Sequence, residues 1–253
     1  MWTIVYSIIA LLLVLQYAHA GVDRHQFKNK EYQVILGPVP GYTDSLKAGP
    51  GSLLTQEIIS RLEKDGYKFQ LRMVPWARAN KLFNAGEVDV LFPELILDDS
   101  QNGVTGMPVD MASQVVFNLK ERNKINSVDE LYNKKVVFVR GIMKISALLH
   151  PSIKLIEVNA PDQAFNMLLK KRADAYINWI TLDNYNREGF QYGKPIVSRF
   201  DAYRFQITIE GAKLMEAFNF TLGTIIKDGT YNKIFDKYKV LNILMTQPEA
   251  VTQ

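Results

Sequence analysis

Apolar and polar positions along the chain alternate between strand-like and helix-like periods. After a polar leader, Tyr32 to Leu36 (YQVIL) predicts a strand that runs into the rigid loop Gly37-Pro38-Val39-Pro40-Gly41. Ser52 then offers a cap to a helix in which Leu54, Ile58 and Leu62 recur at four-residue spacing, and Gly66 ends it. Phe69, Leu71 and Met73 alternate with Lys68, Gln70 and Arg72, the signature of a half-buried strand, which Pro75 stops. A helix carrying Ala79, Leu82 and Phe83 follows, and the apolar run Val88 to Phe92 predicts a third strand. Strands alternating with helices imply a mainly parallel sheet.

The order changes near Gly103, where no helical period is visible and Ser113 to Lys120 reads as one long strand leading to the charged stretch Glu121 to Lys124. A crossing between two lobes is expected there. A second series opens on the capping box Ser127-x-x-Glu130, followed by strands over 135–139, 153–158 and 174–178. Between the last two, Phe165, Leu168 and Leu169 share one helical face. A strand over 203–209 is expected to return the chain to the first lobe, and the end is helical, with Gly229 breaking an apolar stripe. The expected division is 21–120 plus 203–253 for the first lobe and 121–202 for the second.

Residues 1–20 carry an uninterrupted apolar stretch, Ile8 to Leu15, and the small-x-small pattern Ala18-His19-Ala20, as a cleavable export signal does. The expected mature protein begins near Gly21, is periplasmic and inserts no segment into the membrane; an uncleaved anchor is the alternative. At 253 residues with 47% hydrophobic and 22% charged positions, the chain has the composition of a globular protein of two units. Its net charge of +4 is far from the clustered basic surface that nucleic-acid binding needs, so no nucleic-acid partner is expected. Cysteine is absent, which removes disulfides, thiolate metal sites and a cysteine nucleophile together. No phosphate-binding glycine loop or metal motif is present, and no cofactor is expected.

Pro75 to Pro93 (PWARANKLFNAGEVDVLFP), Ser127 to Ile142 (SVDELYNKKVVFVRGI), Ala164 to Ile177 (AFNMLLKKRADAYI) and Gly229 to Tyr238 (GTYNKIFDKY) together resemble the family-3 extracellular solute-binding proteins, the periplasmic amino-acid-type receptors of ABC importers. The resemblance spans roughly residues 32–240. It implies an α/β protein with the two-lobed periplasmic-binding-protein-like fold (type II), two interlobe crossings, and a cleft that closes by hinge motion on a small-molecule ligand. It also implies an ABC permease as partner and a monomer. Two of the family's amino-acid anchors have no clear counterpart. The stretch after the third strand, Pro93 to Asp110, contains no Arg, and Asn178-Trp179 stand where an Asp is expected. A standard amino acid ligand is thereby put in question.

Open α/β sheets bind ligands beyond the carboxyl ends of their strands, which selects the candidates. Tyr42, after the first strand, could stack on a ligand or simply cover the sheet end. Trp76 is a cleft wall or lobe packing, and Arg78 is a carboxylate anchor or a solvated helix-terminal Arg. Glu94 could receive a ligand amine or stand solvated at a loop. Arg140 and Gly141 precede an expected helix over 142–149 and could form an anion site. Asn178 and Trp179 could supply an amide and a stacking face, with core packing as the rival. Residues 124–200 hold 12 basic against 7 acidic side chains, while 21–123 hold 12 against 13. That surplus could draw an anion to the second lobe, although Lys170, Lys171 and Arg172 read as a solvated helix end. The expected function is capture of a small polar, amino-acid-like or organic-anion ligand for an ABC importer, without catalysis. The alternatives are a sensor or interaction module with a vestigial cleft, and a lyase resembling cyclohexadienyl dehydratase with Arg78 and Arg140 on substrate carboxylates.

Overall fold

Three consecutive apolar residues can all be buried in a strand only if both sheet faces are covered, and the first strand shows this with Val34, Ile35 and Leu36. In β1 (Glu31–Leu36), Tyr32, Val34 and Leu36 face one core while Ile35 faces another. The computed structural model describes residues 30–96, 103–140, 150–181 and 183–236. Within it the chain continues through α1 (Pro50–Lys64), β2 (Lys68–Met73), α2 (Trp76–Asn84), β3 (Val90–Leu95), the short β4 (Val104–Thr105) and β5 (Asp110–Leu119). There follow β6 (Lys135–Val139), β7 (Lys154–Val158), α3 (Pro161–Leu169), β8 (Ala175–Trp179), β9 (Phe190–Tyr192), β10 (Val197–Phe205), α4 (Ile209–Lys227) and α5 (Thr230–Phe235). The strands form one ten-stranded sheet in the order β2-β1-β3-β10-β5-β8-β6-β7, with β4 on β10 and β9 on β5.

Both ends of this sheet are sandwiched. In the first, α1 and α4 cover Tyr32, Phe92, Tyr203 and Phe205, and α2 covers Ile35 and Leu91 from the other side. In the second, α3 places Phe165 against Phe117 and Tyr176, while Leu131 and Ile153 cover Val116 and Ile177. The middle is different. There β5 and β10 pair antiparallel from Asp110↔Asp201 to Gln114↔Val197, joined by β3 and β8 only at the ends of that stretch, at Leu95↔Asp201 and Trp179↔Gln114.

Three local expectations are corrected. Helix α1 starts two residues before Ser52, at Pro50 after a Gly49 with φ of 90°, because proline loses no hydrogen bond in a first turn; Ser52 is buried inside. Ser127 and Glu130 do interact, Oγ to Oε1 at 3.3 Å, but Glu130 also accepts the Asn126 N–H and the segment closes only the single 3₁₀ turn Asp129–Leu131. The returning strand lies earlier than 203–209: Ser198, Arg199 and Asp201 hide its alternation, and Thr208 already caps α4 by accepting the Gly211 N–H at 2.9 Å. The helix expected over 142–149 and the apolar segment 1–20 lie outside the described residues.

At the first-lobe end of the paired strands two carboxyl groups stand in register, Asp201 buried and Asp110 half-buried. Asp201 accepts the Asp110 N–H at 2.9 Å and Asp110 accepts the Met111 N–H at 2.8 Å. Burial raises Asp110 to about 6. Burial, with the Asp110 charge second, pushes Asp201 up to about 8. Over them lie Tyr42, whose own ionisation burial pushes well upward, and Tyr231, which donates to the Val109 carbonyl at 2.9 Å.

Two stability outcomes follow. Phe218 of α4 meets Phe69, Tyr203 and Phe205 at ring distances of 5.9, 5.2 and 5.3 Å. Phe218→Ala should cost about 3–5 kcal/mol in urea unfolding, whereas Phe220→Ala, at a residue 75% exposed, should stay within about 0.5 kcal/mol. The carboxyl pair sets the pH dependence. Because the folded state keeps protons on Asp201 and Asp110 that the unfolded chain releases near 3.8, stability should fall as pH rises from there, through about 6 for Asp110 and about 8 for Asp201, and then level off. Asp201→Asn, which keeps the acceptor and removes the charge, should flatten most of that fall and melt higher than the parent at pH 9. Superimposable Tm profiles against pH would refute the assignment.

Candidate functional site

The registers make the two sets of parallel strands point at each other. At its carboxyl end β3 pairs Glu94↔Ala202 and Leu95↔Asp201, level with Asp110 of β5. Strand β8 runs the opposite way and ends with Trp179↔Gln114. About four residues of β5 and β10, roughly 13 Å at the usual strand rise, therefore separate two facing rows of strand ends. Loops after β1, β2 and β3 form one wall and those after β6 and β8 the other.

On the first wall, Trp76 opens α2 and donates its Nε1–H to the Pro38 carbonyl at 3.1 Å. Its ring lies so close to Gly37 that a Cβ there would stand 2.3 Å from it, so Gly37 is what lets the indole lie on the β1 loop. Arg78, one turn in, is exposed and makes no ion pair among the described residues. Glu94 is 3% exposed, with its carboxylate 3.6 Å from Arg204. Burial draws the Arg204 pKa down, and its guanidinium lies 4.6 Å from the Phe83 ring. Tyr42 is packed in the core against Phe92 and Phe235, at 5.9 and 6.4 Å.

On the second wall, Asn178 and Trp179 are buried at the end of β8. The turn beyond them is clamped by Asn184, which donates to the Trp179 carbonyl at 2.9 Å and accepts the Thr181 N–H at 2.8 Å. Arg140 is exposed at the end of β6 and pairs with Glu157 at 3.2 Å. Gly141 lies outside the described residues. Between the walls, the Ser113 and Ser198 hydroxyls meet at 2.8 Å. Beside them the enclosed Gln114 Oε1 and Thr181 Oγ1 have no hydrogen-bond partner within the described protein.

The structure thus gathers Tyr42, Trp76, Arg78 and Glu94 around the ends of β1 to β3, and Arg140, Asn178 and Trp179 around the ends of β6 and β8. Sequence reasoning passed over Arg204, Asp201, Ser113, Gln114, Ser198, Thr181 and Asn184. Five of these sit within β5 and β10, where Ser113, Gln114 and Arg204 fell inside the expected strands without being singled out and Ser198 and Asp201 fell before the expected start at 203. Only Asn184 carried a local signal, an Asn in the turn-forming stretch Thr181 to Asn186. Chemically the cleft offers two indoles, an unpaired guanidinium, a buried acid–guanidinium pair and several amide and hydroxyl groups. That set can bind a small polar molecule by stacking and charge-assisted hydrogen bonds. Among the described residues no group of three or more His, Cys, Asp or Glu is arranged to hold a metal ion, and no helix is long and apolar enough to cross a membrane.

Comparison with known proteins agrees with this architecture. An uncharacterised protein of Shewanella oneidensis is 31% identical over 122 residues, 45% of this chain and 46% of that protein, so the match spans less than half of the relative's length. A mutant of ArgBP from T. maritima superimposes with a TM-score of 0.73 at 20% identity, over 85% of this chain and 97% of that one. AbpA from Streptococcus pneumoniae, an amino acid ABC transporter substrate-binding protein bound to L-arginine, gives a TM-score of 0.70 at 17% identity, over 84% and 96%. The fold is that of the two-lobed periplasmic binding proteins. The model of the bacterial extracellular solute-binding proteins, family 3, matches residues 53–240, and the chain belongs to that family.

Proposed function

We propose that the protein captures a small polar solute, amino-acid-like or an organic anion, between its lobes and presents the closed form to an ABC permease, as a monomer in the periplasm. The observation that carries this is the opposed rows of strand ends across the bare β5–β10 pair, a cleft with a bending element built into its floor. Family membership supports binding rather than catalysis. Of the lobe division 21–120 plus 203–253 against 121–202, the cores support the two-part outline, drawing on residues 32–109 and 203–235 on one side and 115–196 on the other, so that 115–120 goes with the second lobe. The bend itself we place in 110–114 and 197–201.

Among the candidates, Arg78 is the carboxylate anchor, because Arg140 and Arg204 already face Glu157 and Glu94. Trp76 and Trp179 close on the solute from the two walls. Glu94 receives a ligand amine, and Asn178 supplies an amide. Tyr42 acts from behind, as packing for the first wall.

A thermal-shift screen against amino acids, polyamines, organic acids and prephenate, each at millimolar concentration, tests the reading. A ligand at about a thousand times its dissociation constant adds about 4 kcal/mol, a rise of roughly 8 °C or more at this size. Arg78→Ala should then weaken binding about thirtyfold, about 2 kcal/mol, and Arg140→Ala should do less. No response from any compound would overturn the receptor reading, and turnover of prephenate would replace it with the lyase.

A further inference from the structure

The second lobe carries its charge on the end away from the cleft. Because β6, β7 and β8 are parallel, their first residues share that end, and β5, antiparallel to β8, leaves through it. Lys135 pairs with Lys154 in register, the Lys154 N–H donates to the Lys134 carbonyl, and the Asp174 N–H donates to the Lys135 carbonyl. Every strand passes this end through basic residues: Lys120, Arg122 and Lys124 after β5, Lys134 and Lys135 before β6, Lys154 opening β7, and Lys170 to Arg172 before β8. Of these, Arg122 pairs with Asp174 at 3.1 Å and Lys171 with Glu121 at 3.2 Å. The rest make no ion pair among the described residues. Nearby Glu130 is engaged by the Asn126 N–H and the Ser127 hydroxyl, and Asp129 by the Tyr132 hydroxyl. Nine cations thus stand against the four carboxylates of Glu121, Asp129, Glu130 and Asp174, so the cations are in excess.

Apolar side chains stand exposed among them. Leu169, beside Lys170, is 54% exposed, Leu155, beside Lys154, 40%, and Tyr132, two residues before Lys134, 41%. A recess of about 390 Å³ between these strand ends is lined by Arg122, Lys124 and Lys134 together with the carboxylates of Glu130 and Asp174. At the usual spacing, four adjacent strands make a face about 15–20 Å across, broader than a small anion can cover. Free amines interspersed with exposed leucines and a tyrosine match a surface that is anionic outside and apolar just beneath. An acidic protein segment would satisfy the amines and leave the leucines wet.

We propose that this outer end of the second lobe docks on membranes through anionic phospholipid headgroups, which meet its unpaired lysines, with Leu155, Leu169 and Tyr132 entering the headgroup layer.

The test is co-sedimentation of the chain from Gly21 onward, which retains every described residue, with phosphatidylcholine vesicles containing about 30 mol% phosphatidylglycerol at about 0.1 M salt. The parent should sediment with these and not with pure phosphatidylcholine. The combined Lys124→Glu, Lys154→Glu and Lys170→Glu variant should lose at least about tenfold in partition, with an unchanged Tm because all three side chains are exposed and outside ion pairs. Leu169→Ser should lose severalfold. Equal partition of parent and triple variant, or no sedimentation at all, overturns the proposal. Binding to soluble polyglutamate without binding to vesicles overturns it in favour of an acidic protein partner.

Discussion

The antiparallel pairing of β5 with β10 over Asp110–Gln114 and Val197–Asp201 is the constraint on which everything else hangs. Those register pairs set how far apart the lobes stand and in which direction every parallel strand ends. They also set where the molecule can bend. On either side the sheet is covered on both faces, but here residues 110–112 and 197–198 are only half-buried and Arg199 and Phe200 are exposed. A segment with few buried apolar contacts deforms at least cost, so motion concentrates in it while each sandwiched lobe moves as a body. The Ser113–Ser198 hydroxyl contact suits such a place, since two hydroxyls can exchange partners with water as the strands flex.

Rigidity on both sides comes from aromatic packing. In the first lobe Phe92 stacks on Tyr203 at 4.2 Å and Phe218 meets three further rings edge-on or tilted. In the second, Phe165 joins Phe117, Tyr176 and Phe190. Site residues set at strand ends inherit that rigidity, so Trp76 and Trp179 are held by packed elements and not by floppy loops. Glu94 and Arg204 extend the principle. Each is almost fully buried and would be costly alone, and each makes the other tolerable beside the Phe83 ring.

Much of this was legible in the sequence because strand burial writes itself as apolar runs. Tyr32 to Leu36, Val136 to Val139 and Ala175 to Ile177 are covered on both faces, by helices in the first lobe and by α3 on one side and Ile125, Leu131 and Ile153 on the other in the second, and their apolarity is the direct consequence. The alternation Phe69, Leu71, Met73 marks β2 as the sheet's edge. What stayed hidden lies where the strand changes environment midway. Val197 to Phe200 is wet and Asp201 to Phe205 is buried, so β10 has no single period and its first half reads as loop. Arg204 and Asp201 were invisible for the same reason, as polar residues in a strand whose position was misjudged. Tyr42 illustrates the opposite limit. A loop tyrosine looks available for stacking, yet only the fold shows α5 bringing Phe235 over it. The rule that ligands meet strand ends selected Trp76, Glu94, Asn178 and Trp179, and all four do lie at strand ends, since the rule depends on topology and not on which residue is buried.

Charge is where composition misleads most. The second lobe's surplus of basic residues invites the idea of an anion drawn to its side of the cleft, but β6 places five residues, about 15 Å, between its basic entrance and Arg140 at its exit. That exceeds the screening length of about 8 Å at physiological salt. The surplus therefore belongs electrically to the outer end, and the described cleft wall on that side contributes one arginine already paired with Glu157. Under the proposed function, the field a solute meets comes instead from the first lobe, whose overall balance is near neutral: Arg78, exposed at the start of α2, and the Glu94–Arg204 pair. A solute carrying both a carboxylate and an amine suits that arrangement better than a simple anion, because an anion alone would leave the Glu94 carboxylate facing like charge.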